Sequence, residues 1–191
     1  MRTPIRTLAV LGVLAAASPV LAHPGHDLGV LAGFAHPFTG ADHLIAMLIV
    51  GLWAAKRGGK AVLAWPFAFA IALLAGYGLG LGHPALPMVE PMILASVIAL
   101  GALVAADLRV GTITGTALIA VAGLVHGLAH GAEASSAASV AFPLGMASAT
   151  AILHLMGLGA GLALNAAKRP VLIRALGAGA AVSGVAMALL G

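Results

Sequence analysis

Residues 61–82 read AVLAWPFAFAIALLAGYGLGLG, an uncharged run bounded by Lys60 and His83. About 20 apolar residues are what a helix needs to cross the hydrocarbon core of a bilayer, and this stretch supplies them without interruption. Runs of comparable length recur near 40–56, 86–106, 111–130, 139–166 and 172–190. A shorter apolar piece, Leu28 to Ala35, precedes the first and is expected to form a half-helix or an interfacial turn. Composition agrees along the whole chain: of 191 residues, 62% are hydrophobic and 7% charged, and mean hydropathy is +1.14. A soluble domain carries about 25% charged residues, so this chain cannot cover a water-facing surface. That excludes a cytosolic enzyme, a nucleic-acid binder and a disordered protein. The sequence pI near 10.4 rests on nine Lys/Arg against five Asp/Glu, with no basic cluster and interleaved aromatics to make a nucleic-acid groove. Cysteine is absent, which removes disulfides, thiolate metal sites and a cysteine nucleophile. The fold expected is all-α, a polytopic membrane protein of six transmembrane helices plus the short half-helix, in one domain over residues 23–191.

Residues 1–22 read as a cleavable secretory signal. Arg2 and Arg6 make a charged start, Leu8 to Ala17 a short apolar core, Ser18-Pro19 the break, and Val20-Leu21-Ala22 the small residues a signal peptidase reads. An uncleaved first membrane helix is the alternative, but the apolar run is shorter than a span needs. Cleavage after Ala22 would leave 169 residues, beginning His23-Pro24-Gly25-His26-Asp27 on the outer side. Six spans then put the loops after the first, third and fifth in the cytoplasm. Every Lys and Arg beyond the signal falls in those loops: Lys56, Arg57 and Lys60; Arg109; Lys168, Arg169 and Arg174. This positive-inside asymmetry predicts both ends outside, in a bacterial-type inner (plasma) membrane with a periplasmic or extracellular N-terminus.

Glycine should control the packing. Gly123, Gly127 and Gly131 recur every four residues and give the fourth span one flat face, where another backbone can come close. Gly111 and Gly115 open that span in the same way, and Gly157, Gly159 and Gly161 thin the fifth. Pro66, Pro87, Pro91 and Pro143 sit near span starts, where a missing N–H does least harm. An inverted three-plus-three repeat, as in many transporters, is not expected. Gly40-x-x-His43-x-x-Ala46 does echo Gly123-x-x-His126-x-x-Ala129, but the two histidines lie at depths that such a repeat would not produce.

Ionisable residues inside a span are costly and point to function. The first group is His36-Pro37-Phe38-Thr39-Gly40-Ala41-Asp42-His43. His43 lies 13 residues before Lys56, about 20 Å at 1.5 Å per residue, which sets it in the outer half of the membrane. Pro37 and Gly40 should break the helix and let His36 fold back towards Asp42 and His43. An N-cap by Asp42 with two snorkelling histidines is the blander reading, and it accounts for one of three costly residues. The second group is His126-Gly127-Leu128-Ala129-His130-Gly131-Ala132-Glu133. Positions i, i+4 and i+3 share a helix face, so His126, His130 and Glu133 form one polar stripe ending at the outer mouth of the fourth span. Two histidines at that spacing with a nearby carboxylate are a divalent-metal arrangement.

Further residues carry two readings each. His154 is either a stop on an ion pathway or a core histidine satisfied by a backbone carbonyl. Glu90, beside Pro87 and Pro91, is either a third carboxylate for the site or interfacial. Met47, one turn after His43, is either a soft ligand or packing. His23 and His26, with the free amine, are either a cation catch or a flexible polar tail. His83 is expected in solvent, and Asp107 is expected to pair with Arg109 at the cytoplasmic surface.

The first cluster, His36-Pro-x-x-Gly40-x-Asp42-His43-x-x-Ala46-Met47, resembles the signature of the HupE/UreJ family of nickel transporters. The second, His126-Gly-x-x-His130-Gly-x-Glu133, is similar to that family's other histidine-rich motif. A signal peptide followed by about six helices matches as well, so the resemblance covers essentially the whole chain. It implies uptake of nickel, in some members cobalt, for hydrogenase or urease maturation. By that resemblance His36, Asp42 and His43 are the core metal residues, with His126, His130 and Glu133 their partners; it assigns no role to His154 or Glu90.

Donor chemistry leads the same way. Imidazole and carboxylate without thiolate suit borderline divalent ions such as Ni²⁺, Co²⁺, Zn²⁺ or Fe²⁺. Gly58-Gly59-Lys60-Ala61 lacks the upstream glycine and the Ser/Thr of a Walker A loop, so no use of ATP is expected. The expectation is therefore a permease and not an enzyme, with no cofactor beyond the transported Ni²⁺ or Co²⁺. Its expected partners are a divalent metal ion and membrane lipid, not nucleic acid, with a homo-oligomer or an outer capture protein left open. The rivals are a membrane metal sensor or assembly partner, which would retain metal without flux, and a proton path through the same histidines. A third is a di-iron-type membrane oxidoreductase. His126-x-x-x-His130 resembles one box of such enzymes, but the further boxes they need are absent.

Overall fold

In hydrocarbon a backbone N–H or C=O has no water to bond, so an apolar chain closes its hydrogen bonds on itself as helix. The computed structural model describes residues 29–83, 88–134 and 140–190; the expected signal at 1–22 and His23 and His26 lie outside them. Seven helices follow one another among the described residues: α1 Val30–Thr39, α2 Ala41–Arg57, α3 Ala61–Gly80, α4 Val89–Ala105, α5 Thr112–Glu133, α6 Ala141–Ala166 and α7 Pro170–Leu190. Four of them, α3, α5, α6 and α7, are long and apolar enough to cross a membrane, and α1 with α2 makes a fifth candidate bent by 85°. The α4 helix is apolar but has only 17 residues. The chain is a multi-pass membrane protein. Its outward side chains agree: Leu63, Phe67 and Ile71, one helical turn apart on α3, are all exposed.

The α1–α2 bend falls at Gly40, whose backbone is extended (φ −93°, ψ 119°). Pro37 does not contribute to it, contrary to expectation. It sits buried inside α1, because a proline forfeits one backbone bond without ending a helix whose neighbours hold it.

Helix pairing runs through glycine seams, and the close partners are not neighbours in sequence. The tightest pair is α3 with α5: a methyl group on Gly127 would strike the Leu73 carbonyl and the Tyr77 nitrogen, so the backbones touch there directly. Gly123 and Gly131 extend the same seam against Phe69 and Tyr77, which makes the expected flat face of the fourth span an observed one. Gly115 lies under the Trp65 indole, whereas Gly111 and Gly159 face open space and carry no seam. The second seam joins α2 to α6, where Gly51 meets the His154 carbonyl and the Leu158 nitrogen.

These two seams are copies of each other. Gly51 and Gly127 stand 76 positions apart, and their partners Leu73/Tyr77 and His154/Leu158 stand 81 apart. The reciprocal contacts keep the same register: Gly76 meets the Leu124 carbonyl as Gly157 meets the Leu48 carbonyl. Between α4 and α7, Gly101 meets the Gly177 carbonyl and the Ala181 nitrogen, while Gly177 meets the Gly101 carbonyl and the Ala105 nitrogen. Helices α2–α4 and α5–α7 are therefore two versions of one three-helix unit. They run in opposite senses, since the start of α2 meets the end of α5 through His43 and His130 while Arg57, ending α2, bonds Val110, just before α5. The expectation of no inverted repeat is thus corrected. The echo around His43 and His126 lies in the wrong register, and the real repeat is carried by glycine spacing.

Opposite the histidines, cations cap the end of α4. Lys56 Nζ pairs with Asp107 at 2.7 Å and donates to the Val104 carbonyl, and Arg174 donates to the Ala105 carbonyl. Asp107 was expected to pair with Arg109, but α2 delivers Lys56 to it instead. The hydrogen bond from Lys56, together with its charge, holds the Asp107 carboxyl below the usual carboxylate range. Two helices here end on Schellman motifs with left-handed residues that are not glycine. Asp107 (φ 56°) closes α4 with the Leu108 N–H on the Leu103 carbonyl, and Lys168 (φ 53°) closes α6 with the Arg169 N–H on the Leu164 carbonyl.

Gly127→Ala should cost at least about 2 kcal/mol, because backbone on two helices must part. Gly78→Ala, whose methyl meets nothing within 4 Å, should be neutral or gain up to about 1 kcal/mol. Thermal unfolding in detergent checks the pair, and equal shifts would contradict the seam. By the same assay Lys168→Gly should gain up to about 1 kcal/mol by relieving a left-handed residue.

Candidate metal centre

The bend at Gly40 builds the centre. It ends α1 with Thr39 Oγ1 donating to the His36 carbonyl (2.8 Å) and starts α2 with Asp42 in its first turn. Asp42 Oδ1 accepts the His43 backbone N–H at 2.8 Å and lies 2.8 Å from His43 Nδ1. A side chain at position 40 would stand 2.9 Å from Asp42 Oδ1 and 3.1 Å from His43 Nδ1, so glycine leaves the Asp42–His43 pair room that a larger residue would crowd. With its Nδ1–H donated to the carboxylate, the His43 ring presents an Nε2 lone pair to the other side.

That lone pair faces His130. The Nε2 atoms of His43 and His130 are in direct contact, across 87 residues of sequence. His36 folds back from α1, as its position before the bend suggested, with its ring edge-on to His130 at 4.4 Å and to His43 at 5.5 Å between centroids. One ligand atom from each of His36, His43 and His130 lies within 4.8 Å of the others, the group of three among the described residues that could hold a metal ion. His43 and His130 are buried and His36 is half-buried. Lone pairs on converging imidazoles repel unless a cation or a proton lies between them. The arrangement can therefore bind a divalent ion through nitrogen and leave further positions to water.

The other expected residues stand at graded distances. Asp42 acts through His43 as its hydrogen-bond partner. Glu133 Oε2 lies 3.6 Å from His130 Nδ1 with its side chain largely exposed at the rim, close enough to be felt as charge. His126 sits one turn deeper on α5, with its ring 4.9 Å from that of His43, its Nδ1–H donated to the Ala122 carbonyl and its Nε2 without a partner. Thus α5 does carry His126, His130 and Glu133 on one stripe, but only His130 reaches the group of three. Met47 is wholly buried in the apolar core, and Glu90 is exposed at the start of α4, outside that group. His154 is buried on α6 with neither ring nitrogen bonded, so no backbone carbonyl satisfies it.

Aromatic rings complete the surroundings, and nothing local in the sequence marked them. Phe142 of α6 lies 5.8 Å from the His36 ring and stacks on Tyr77, while Phe69 of α3 lies 5.5 Å from His126 and 5.2 Å from His154. Only the seams between non-adjacent helices bring these rings to the histidines.

Comparison with known proteins gives the chain a family. The family described as HupE / UreJ protein matches residues 11–187. Protein HupE of Rhizobium leguminosarum bv. viciae is 39% identical over 179 residues, 93% of this chain and 94% of that protein. No solved structure matches.

Asp42→Asn keeps the shape but removes the charge that orients His43, and should weaken Ni²⁺ binding by about 10- to 100-fold. His43→Ala should remove it altogether. Equilibrium dialysis of the purified protein checks both, and undiminished binding in His43→Ala would contradict the centre.

Proposed function

The chain belongs to the HupE/UreJ family, and from that premise we propose that it is a divalent transition-metal permease. Its ion is nickel, with cobalt the second candidate, taken up into the cytoplasm through the His36–His43–His130 centre. The observation that carries this reading is the convergence of three imidazoles from α1, α2 and α5 on one point at one end of a membrane bundle. Three nitrogens and no thiolate suit a borderline divalent ion. They also leave coordination positions to water, as suits a site that must release what it captures. Asp42 and Glu133 supply negative charge behind the rings, and His126 continues the polar stripe inward.

In the proposed topology α1 and α2 form one broken span, and α3 to α7 supply five more, with both ends of the chain outside after removal of a signal peptide at 1–22. The short α4, about 26 Å at 1.5 Å per residue, crosses beside α7. This orientation is supported by the gathering of Lys56, Arg57 and Arg174 around the residues that link α4 to α5, at the end away from the histidines. It puts the centre on the outer side, where capture belongs. Transport needs no ATP in this scheme: an inside-negative potential of 100 mV favours entry of a divalent cation by roughly 4.6 kcal/mol, twice the single-charge value.

Ni²⁺ influx into proteoliposomes under an imposed inside-negative potential tests the proposal. Saturable influx, lost in His43→Ala and His130→Ala and competed by Co²⁺, is expected. Tight stoichiometric retention of the metal without flux would instead make the protein a sensor or an assembly partner.

A further inference from the structure

Buried polar atoms without partners do not end at the outer centre. Among the described residues five such atoms are found: Tyr77 Oη, His126 Nε2, Thr150 Oγ1 and both ring nitrogens of His154. A buried polar atom that nothing ever bonds forfeits its hydration without return, and an imidazole unpaired at both nitrogens forfeits the most. Thr150 is unusual in its own right. The hydroxyls of Thr116 and Ser148 turn back to the carbonyls four residues earlier, as helical hydroxyls in apolar surroundings do. Thr150 is fully buried and leaves its hydroxyl unbonded. It lies one turn before His154, on the same face of α6.

The place of this pair in the fold adds a second, independent argument. The inverted repeat exchanges α3 with α6, and these two helices meet where the Phe69 ring touches the His154 ring edge-on at 5.2 Å. His154 is level with Gly51 of α2, eight residues and about 12 Å inward of His43. The same Phe69 ring lies 5.5 Å from the His126 ring. A line therefore runs from the outer centre through His126 and past Phe69 to His154, at the interface of the two halves. In inverted-repeat transporters that is where a transported ion binds.

We propose that His154 and the Thr150 hydroxyl form a second, transient station for the divalent ion, inward of the outer centre. The inference rests on the permease reading. One imidazole nitrogen and one hydroxyl, with water completing the shell, bind more weakly than three imidazoles. Weak holding is what an intermediate station needs, since an ion held tightly there would not leave.

The test compares full-length wild type with His154→Leu, His154→Gln and Thr150→Val, using Ni²⁺ alone as the probe. Equilibrium binding, thermal unfolding and influx under an inside-negative potential are measured on each. Equilibrium binding should stay within about twofold of wild type, because the outer centre is intact. Maximal influx should fall at least tenfold in His154→Leu and less in His154→Gln, while His154→Leu unfolds at higher temperature because two unbonded nitrogens are gone. Unchanged influx in His154→Leu would make His154 a plain core residue and overturn the station. Should the leucine variant misfold, the near-isosteric Thr150→Val decides: lowered influx with normal binding supports the station, and unchanged influx overturns it. Wild type that binds Ni²⁺ without influx overturns the permease reading and the station together. Influx lost in His43→Ala but kept in the Thr150 and His154 variants overturns the station alone.

Discussion

Helices in lipid gain nothing by hiding apolar side chains from one another, since the tails outside are equally apolar. Association must come from contact, and contact between backbones is closest where a residue has no side chain. The seams at Gly127 and Gly51 meet that constraint, and the candidate metal centre depends on them. Imidazoles reach only a few ångströms from their backbones, so His43 on α2 and His130 on α5 can touch only because the close-set pairs α3–α5 and α2–α6 hold both helices in one bundle. A similar contact fixes the half-helix α1, where Gly33 lies against the Phe142 backbone and Gly145 against the Val30 carbonyl. Without it nothing would hold His36 back over the other two rings.

Much of this was legible in the sequence. The apolar runs marked α2 to α7 to within a few residues, the four-residue spacing of Gly123, Gly127 and Gly131 marked a true seam, and the two histidine motifs contain the three rings that come together. What escaped has a common cause. Which helix pairs with which is decided by backbone contact far apart in sequence, so neither the α3–α5 pairing nor the approach of Phe69 and Phe142 leaves a local pattern. Lys56 rather than Arg109 pairs with Asp107 for the same reason. The bend was foreseen, but Gly40 makes it alone. Proline spoils only one hydrogen bond, whereas an extended residue redirects the whole chain.

The inverted repeat was invisible for a more specific reason. A repeat held together by small residues conserves the absence of side chains and little else, so aligned positions such as Gly51 and Gly127 survive while their surroundings diverge. Histidines are the features least able to repeat. The equivalents of His126, His130 and Glu133, 76 positions earlier, are Val50, Ala54 and Arg57.

That divergence has a physical logic. A unit repeated in inverted sense has no preferred orientation in a bilayer, because turning it over restores the same scaffold. Charge must break the tie. One end carries Asp42, Glu133 and the His36–His43–His130 group; the other carries Arg174 on the Ala105 carbonyl and, around a cavity of about 540 Å³ shared with Trp53 and Asp107, Lys56, Arg57 and Arg109. In the proposed topology these cations fix which end stays in the cytoplasm, and in doing so they fix which end meets the metal first. In that topology the contrast between Glu133 and Arg57 at equivalent positions serves insertion and the proposed capture at once: the same asymmetry that orients the chain leaves the outer mouth the end without Lys or Arg.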